Sequence, residues 1–97
     1  MILKSISAGN LAKCYFPKLH LYDALKMLAL YIKDINSKMY LKAGYVEDSL
    51  DGNDVWFDKD EIVLIGKTIG IPRPNIADNV CDTILDGLNE KADEQNK

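Results

Sequence analysis

Few side chains in this sequence are suited to chemistry by type, and fewer by spacing. His20 is the only histidine, so metal sites built on several imidazoles and Ser-His or Cys-His catalytic pairs lack the partners that they need. It lies in a short apolar run between Leu19 and Leu21, which favours a packed or surface histidine over a general base. Cys14 and Cys81 have no CxxC spacing, and each sits in an apolar pattern typical of a small hydrophobic residue. These residues predict no catalytic group and no cofactor.

Oxygen donors are more frequent, and they form two groups. The segment EDSLDGNDVWFDKDE, residues 47–61, is rich in carboxylates. No alignment of it places oxygen ligands at positions 1, 3 and 5, glycine at 6 and glutamate at 12 of a calcium loop, so it does not predict calcium binding. The second group is a pair, Asn10 and Asp23, at the two ends of a segment predicted as a β-hairpin. A turn residue and a carboxylate at a helix start account for this pair without a metal.

Two short strands and a helix are predicted around that pair. NLAKCYF, residues 10–16, is an apolar and aromatic run closed by Pro17, which cannot donate to a β-ladder and suits a strand that ends in a turn. Residues 19–21 are predicted to return beside it as the second strand. Residues 22–35 carry apolar side chains at helical spacing, with Asp23 in the first turn, where the helix dipole favours a carboxylate.

The middle of the chain favours a second β region. KMYLKAGY, residues 38–45, has apolar residues on one side with the period of a half-buried strand. These alternating residues are Met39, Leu41, Ala43 and Tyr45. Asp51-Gly52 is predicted as a turn before residues 55–57, VWF, so that this region forms a second hairpin or an ordered loop.

Two further helices complete the pattern. The first opens with Asp58 as its cap and stops at Gly70, and the second starts after Pro74 with Asn75 as its cap. The predicted fold class is therefore mainly α with one or two small β-hairpins, an α+β fold. It forms one domain over residues 1–90, followed by a flexible polar tail at residues 91–97.

Length, composition and charge limit the classes of function. Ninety-seven residues with 47% apolar content fit one hydrophobic core, since a chain of this size buries somewhat over about 60% of its unfolded surface. The net charge is -3 and the basic residues are scattered, which makes nucleic acid an unfavourable partner. The N-terminal apolar run is too short for a signal peptide, and no segment approaches the roughly 18 apolar residues of a membrane span. The chain is predicted to be cytoplasmic, with reduced thiols and no membrane partner.

The two C-terminal helices also suggest an alternative function. LIGKTIGIPRPNI, residues 64–76, has helix-turn-helix spacing, with a small residue for close helix approach, a turn glycine and two supporting apolar residues. These are Gly66, Gly70, Ile71 and Ile76. A DNA-reading helix presents basic or amide side chains to bases and phosphates, whereas beyond Arg73 this one offers acids. They are Asp78, Asp82 and Asp86. A core-forming helical hairpin is the main interpretation, and a small helix-turn-helix-like DNA-binding regulator is the alternative.

The order of motifs along residues 5–88 resembles the C-terminal part of HipA-type serine/threonine kinases, the toxins of HipBA toxin–antitoxin pairs. The resemblance lies in the motifs GN, LYDAL, KMYLKAGY and FDKDEIVLIGKTIGIP, followed by IADNVCDTIL. It implies the helical C-terminal subdomain of such a kinase as the fold.

The resemblance also implies a role for Asn10 and Asp23. In the family, an aspartate of the catalytic loop orients the substrate hydroxyl, and an asparagine five residues later holds magnesium. A hairpin then leads to a second magnesium-binding aspartate in a YD pair. Asn10 and Asp23 match the two metal positions and are expected to be vestigial magnesium ligands.

Departures from the family pattern imply a kinase-like remnant that is not an enzyme. Ser5 stands at the position of the catalytic aspartate, and Ser7 and Gly9 replace the histidine and lysine that follow it. The nucleotide-phosphate loop and the ATP-positioning lysine have no counterpart in the sequence. Phosphoryl transfer depends on the positioning and charge stabilisation that these parts supply.

The function predicted from the resemblance is therefore a non-catalytic, pseudokinase-like protein–protein interaction or regulatory module of a bacterial toxin–antitoxin system. Its expected partner is an antitoxin-like or kinase-like protein, or a second copy of the chain. A kinase lobe cut at its catalytic loop is expected to expose apolar surface. The residues expected to supply that surface are Met1, Ile2, Leu3, Tyr15, Phe16, Trp56 and Phe57.

Overall fold

A computed structural model describes residues 1–95, with side chains for residues 1–73 and 78–90. Within this range the order is β1 (Ser5–Ser7), α1 (Ala8–Tyr15), α2 (Leu21–Ile32), α3 (Ser37–Asp48), β2 (Trp56–Asp58), α4 (Lys59–Ile69) and α5 (Pro74–Gln95). The fold is mainly helical with one small antiparallel sheet, which confirms the predicted fold class. The predicted tail at residues 91–97 begins inside α5, and residues 96 and 97 lie outside the described range.

The two strands pair with each other although they are far apart in sequence. Ile6 lies opposite Phe57 at the centre of the register, and both side chains face the core. Each strand runs directly into a helix that is capped by its own last residue, Ser7 for α1 and Asp58 for α4. Since the pairing is antiparallel, α1 and α4 start at opposite ends of this two-stranded sheet, which we call the ribbon.

The helices pack around the inner face of the ribbon. α1 packs on α2 and α2 on α3, which form one half of the fold, and α4 packs on α5 to form the other. The two halves meet where α1 contacts α5 and α2 contacts α4. The shared core is apolar and includes residues from every element. Its largest fully buried apolar side chains are Phe57, Leu11, Leu25, Leu28, Ile32, Met39, Ile62, Ile65 and Ile84.

Neither hairpin predicted within residues 10–57 forms, although β2 at Trp56–Asp58 overlaps the strand predicted at residues 55–57. Residues 10–16 lie in α1, whose start is fixed by the Ser7 hydroxyl accepting the amide N–H of Asn10 at 3.2 Å. Residues 19–21 are not a strand, and Leu21 already begins α2. Residues 38–45 belong to α3, where the Asn36 side chain accepts the Met39 N–H at 2.8 Å. Capping bonds and core packing override a short alternating pattern.

The predicted helices agree more closely with the structure than the predicted hairpins do. α2 spans Leu21–Ile32, with Asp23 in its first turn, close to the predicted range of 22–35. α4 has Asp58 as its cap, and it ends at Gly70 with a φ of 102°, a backbone conformation that favours glycine. α5 begins at Pro74 rather than after it. The side chain of Asn75, the predicted cap, lies outside the described side chains.

Candidate functional site

Asn10 lies in the first turn of α1, with an exposed side chain. The amides around it already have acceptors within the protein. The N–H of Ala8 donates to the Val55 carbonyl at 2.8 Å, and that of Gly9 donates to the Gly52 carbonyl at 3.2 Å. The loop between α3 and β2 therefore covers the start of α1 and uses the amides that could otherwise bind an anion.

Asp23 lies on a different element from Asn10, in the exposed first turn of α2. The hairpin that was expected to bring the two residues together is absent, and two packed helices take its place. Asn10 lines an open cavity of about 520 Å³ together with Lys13 and His20, and Asp23 is not among its lining residues. Over the described residues, no group of three His, Cys, Asp or Glu side chains is arranged to hold a metal ion. Magnesium binding by Asn10 and Asp23 stays a prediction.

Lys13 organises the turn between α1 and α2 beside that cavity. Its ammonium group donates to the carbonyl oxygens of Pro17 at 3.1 Å and Leu19 at 2.5 Å. His20 precedes α2 without capping it through its side chain, and it is exposed. His20 is therefore a surface histidine, one of the two placements that its sequence context favours.

The two thiols lie on the packed helices α1 and α5. Cys81 is buried and its Sγ donates to the Pro72 carbonyl at 2.9 Å, whereas Cys14 is half-buried. Burial raises the pKa of both thiols, which reduces the fraction of reactive thiolate at neutral pH. Tyr15 donates to the Gly70 carbonyl at 2.8 Å, so α1 and α5 together hold the α4–α5 turn.

Glu61 is the most buried charged residue in the described part of the chain, at 6% exposure. Its Oε1 accepts from Lys42 Nζ at 2.7 Å and from the Asp58 amide at 3.0 Å, which completes a capping box at the start of α4. Its Oε2 lies 3.6 Å from Lys38 Nζ and has no hydrogen-bond donor among the described residues. No sequence prediction brings Lys38 or Lys42 to Glu61, because residues 38–45 were wrongly predicted as a strand.

The acidic face of α5 is partly engaged within the protein. Asp82 accepts from the N-terminal ammonium group of Met1 at 2.9 Å, and Asp86 accepts from Lys59 at 2.7 Å. Gly66 contacts Ile84 closely, as expected for a tight α4–α5 pair. Ile71 is exposed rather than packed beneath the turn, and Ile76 lies outside the described side chains.

The α2–α3 hairpin carries an apolar surface that the sequence interpretation missed. Its members project into solvent, and we call them the outer face. They are Leu30 (53% exposed), Tyr40 (63%), Leu41 (64%) and Tyr45 (67%). Of the residues expected to be exposed, Met1, Ile2 and Trp56 are so, whereas Phe57 is buried in the core and Leu3, Tyr15 and Phe16 are half-buried.

A groove of about 510 Å³ runs between α2 and α3 beside the outer face. Ala29 and Ala43 lie at its base, and Gly44 leaves it open on the α3 side. The short connection of residues 33–36 makes α2 and α3 antiparallel neighbours. Lys33 therefore lies at one end of the groove, and Glu47 lies at the other.

Comparison with known proteins adds no relative. No protein-family model, no curated protein and no solved structure matches the chain. Within the part of the chain that the structure describes, no helix combines the length and the apolar composition needed to span a bilayer.

Proposed function

We propose that this chain is a non-catalytic protein-interaction module that binds its partner through the outer face of the α2–α3 hairpin. The observation that carries the proposal is the exposure of Tyr40, Leu41 and Tyr45 on a single helix. Tyrosine is enriched in the cores of protein interfaces, where its ring provides area at low entropic cost. Folding does not require these side chains, since α3 packs on the core through Met39, Ala43 and Val46.

Other exposed aromatic residues on α2 are engaged with neighbours. Tyr31 stacks on Phe16 with ring centroids 5.9 Å apart, and Tyr22 lies beneath the Lys26 ammonium group at 4.4 Å. Tyr40 and Tyr45 on α3 are also the more exposed tyrosines of the hairpin, at 63% and 67% against 49% for Tyr22 and 45% for Tyr31. An exposed patch of this kind, rimmed by charged residues, is typical of a docking surface.

The setting that we propose is a bacterial toxin–antitoxin system, and it rests on the resemblance of the sequence motifs to HipA-type kinases. The partner would be an antitoxin or a kinase of that system, or a second copy of the chain. A DNA-binding role is less favoured, because Asp78 is exposed on α5 and carboxylates repel phosphates.

Calorimetric titration of the purified chain with a HipB-type antitoxin, and separately with a HipA-type kinase, tests the proposal. We expect micromolar or tighter binding of one of them. The double variant Leu41→Asp/Tyr45→Asp is expected to lose that binding while its circular dichroism stays unchanged. The matched control Thr68→Asp, exposed on α4, is expected to bind normally. Absence of binding to both proteins would remove the toxin–antitoxin setting, and binding by the double variant would remove the outer face as the site.

A further inference from the structure

Gly44 lies in the middle of α3, where nothing in the fold calls for glycine. It does not have a positive φ, and a Cβ built on it would meet no atom of the described residues within 4 Å. Glycine in an exposed helix interior destabilises the helix relative to alanine. The missing side chain does, however, leave the groove between α2 and α3 open at its centre.

The groove carries Lys33 at one end, and Glu47 together with Lys26 at the other. Among the described residues, Lys33 takes part in no ion pair. Glu47 stands at the far end beside Lys26, whose pKa is raised first by its hydrogen bond with Tyr22 and less by this carboxylate. If two copies of the chain pair face to face about a two-fold axis, their grooves run in opposite directions. The Lys33 end of one copy then lies over the Glu47 end of the other.

We infer that the occupant of the α2–α3 groove is α3 of a second copy of this chain, docked antiparallel about a two-fold axis. Tyr40 precedes Gly44 by one helical turn on the same side of α3. In an antiparallel pair of α3 helices, we place the two-fold axis midway between Tyr40 and Gly44. Each Tyr40 ring then fills the space left by the partner's Gly44. Lys33 then meets the partner's Glu47 on both sides. This inference rests on the proposed interaction function and selects its partner.

Sedimentation equilibrium of the full chain over a wide concentration range tests the inference. The wild type is expected to form a dimer. Gly44→Arg places a long side chain in the groove at an exposed position that has room for it, and it is expected to weaken dimerisation about 100-fold or more. The control Thr68→Arg puts the same side chain on the exposed surface of α4 and is expected to leave the dimer intact. Circular dichroism checks that both variants remain folded.

A charge exchange tests the predicted geometry independently of the groove's shape. Lys33→Glu and Glu47→Lys are each expected to weaken the dimer about tenfold. The double variant restores opposite charges across the interface and is expected to regain most of the wild-type affinity.

A wild type that stays monomeric at every concentration overturns the inference, as does a dimer that Gly44→Arg leaves unchanged. A charge exchange without rescue overturns the antiparallel arrangement. A monomer that still binds the antitoxin or the kinase through Leu41 and Tyr45 leaves the proposed function standing without this inference. A monomer that binds neither protein removes both.

Discussion

At the scale of single residues, Glu61 illustrates how a buried charge is tolerated. The carboxylate bonds with Lys42 and with the amide that starts its own helix. Glu61→Ala is expected to lower the free energy of unfolding by about 2–4 kcal/mol, because it removes a cap and leaves Lys42 without its counter-charge. Glu61→Gln keeps an oxygen for the Asp58 amide and is expected to cost about half as much. Urea denaturation measures both, and equal losses in the two variants would contradict the capping role.

Tyr15 makes the stability of the fold depend on pH in the alkaline range. Burial, followed by the neighbouring thiols, raises its pKa above the ordinary value of about 10. The native state therefore keeps a proton that the unfolded chain releases, so this contribution is complete below about pH 10 and declines as the pH rises further. Tyr15→Phe is expected to flatten the decline above about pH 10, and to cost about 1 kcal/mol at neutral pH through the lost bond to Gly70. Denaturation curves across this pH range would show the difference, and parallel pH profiles would refute it.

Two glycines are expected to respond oppositely to the same substitution. A Cβ on Gly9 would collide with the backbone carbonyl of Asp51, so Gly9→Ala is expected to destabilise the protein by more than about 1 kcal/mol. Gly44→Ala meets open space and is expected to stabilise the monomer by about 0.5–1 kcal/mol. Thermal denaturation of the two variants side by side provides the measurement. A stabilising Gly9→Ala would mean that the α3–β2 loop does not press on α1.

Residue types alone predicted part of the site. Asp58 as a cap and Asp23 in a first turn could be derived because capping is a local effect. The Glu61 cluster could not, because Lys42 on α3 reaches Glu61 on α4 only in the folded chain, where its ammonium group also donates to the Trp56 carbonyl of β2.

At the scale of elements, the two sides of α3 explain why residues 38–45 were wrongly predicted as a strand. Residues 39, 41, 43 and 45 alternate as they would in a strand, but in the helix they separate onto two sides. Met39 and Ala43 are buried, whereas Leu41 and Tyr45 are exposed. The alternation was therefore produced by two apolar surfaces, of which only one belongs to the core. A residue pattern does not distinguish them, since burial by the fold and burial by a partner select the same residue types.

The α4–α5 pair depends on close contact at two glycines. Gly66 lies against Ile84, and Gly87 lies against Val63. Ile84→Ala is expected to lower the free energy of unfolding by about 2–4 kcal/mol by opening a cavity in the core. Leu85→Ala, at an exposed neighbouring position, serves as the control and is expected to change it little. Equal effects of the two substitutions in chemical denaturation would show that this contact is not part of the core.

At the scale of the whole molecule, the ribbon joins the two halves of the fold. Phe57 is fully buried and is paired with Ile6. Phe57→Ala is expected to cost about 3–5 kcal/mol and to destabilise both halves together. Hydrogen exchange would report this as a parallel loss of protection in α2 and α5, whereas a loss confined to one half would indicate that the halves are stable separately.

The pairing of β1 with β2 also affects how the chain is made. Ile6 and Phe57 are 51 positions apart, so β1 leaves the ribosome well before its partner strand has been synthesised. The α2–α3 hairpin is contained in the intervening segment, and its folding shortens the effective loop whose closure brings the strands together. Because β1 has only three residues, two of them serines, it presents little unpaired edge to other chains during that delay.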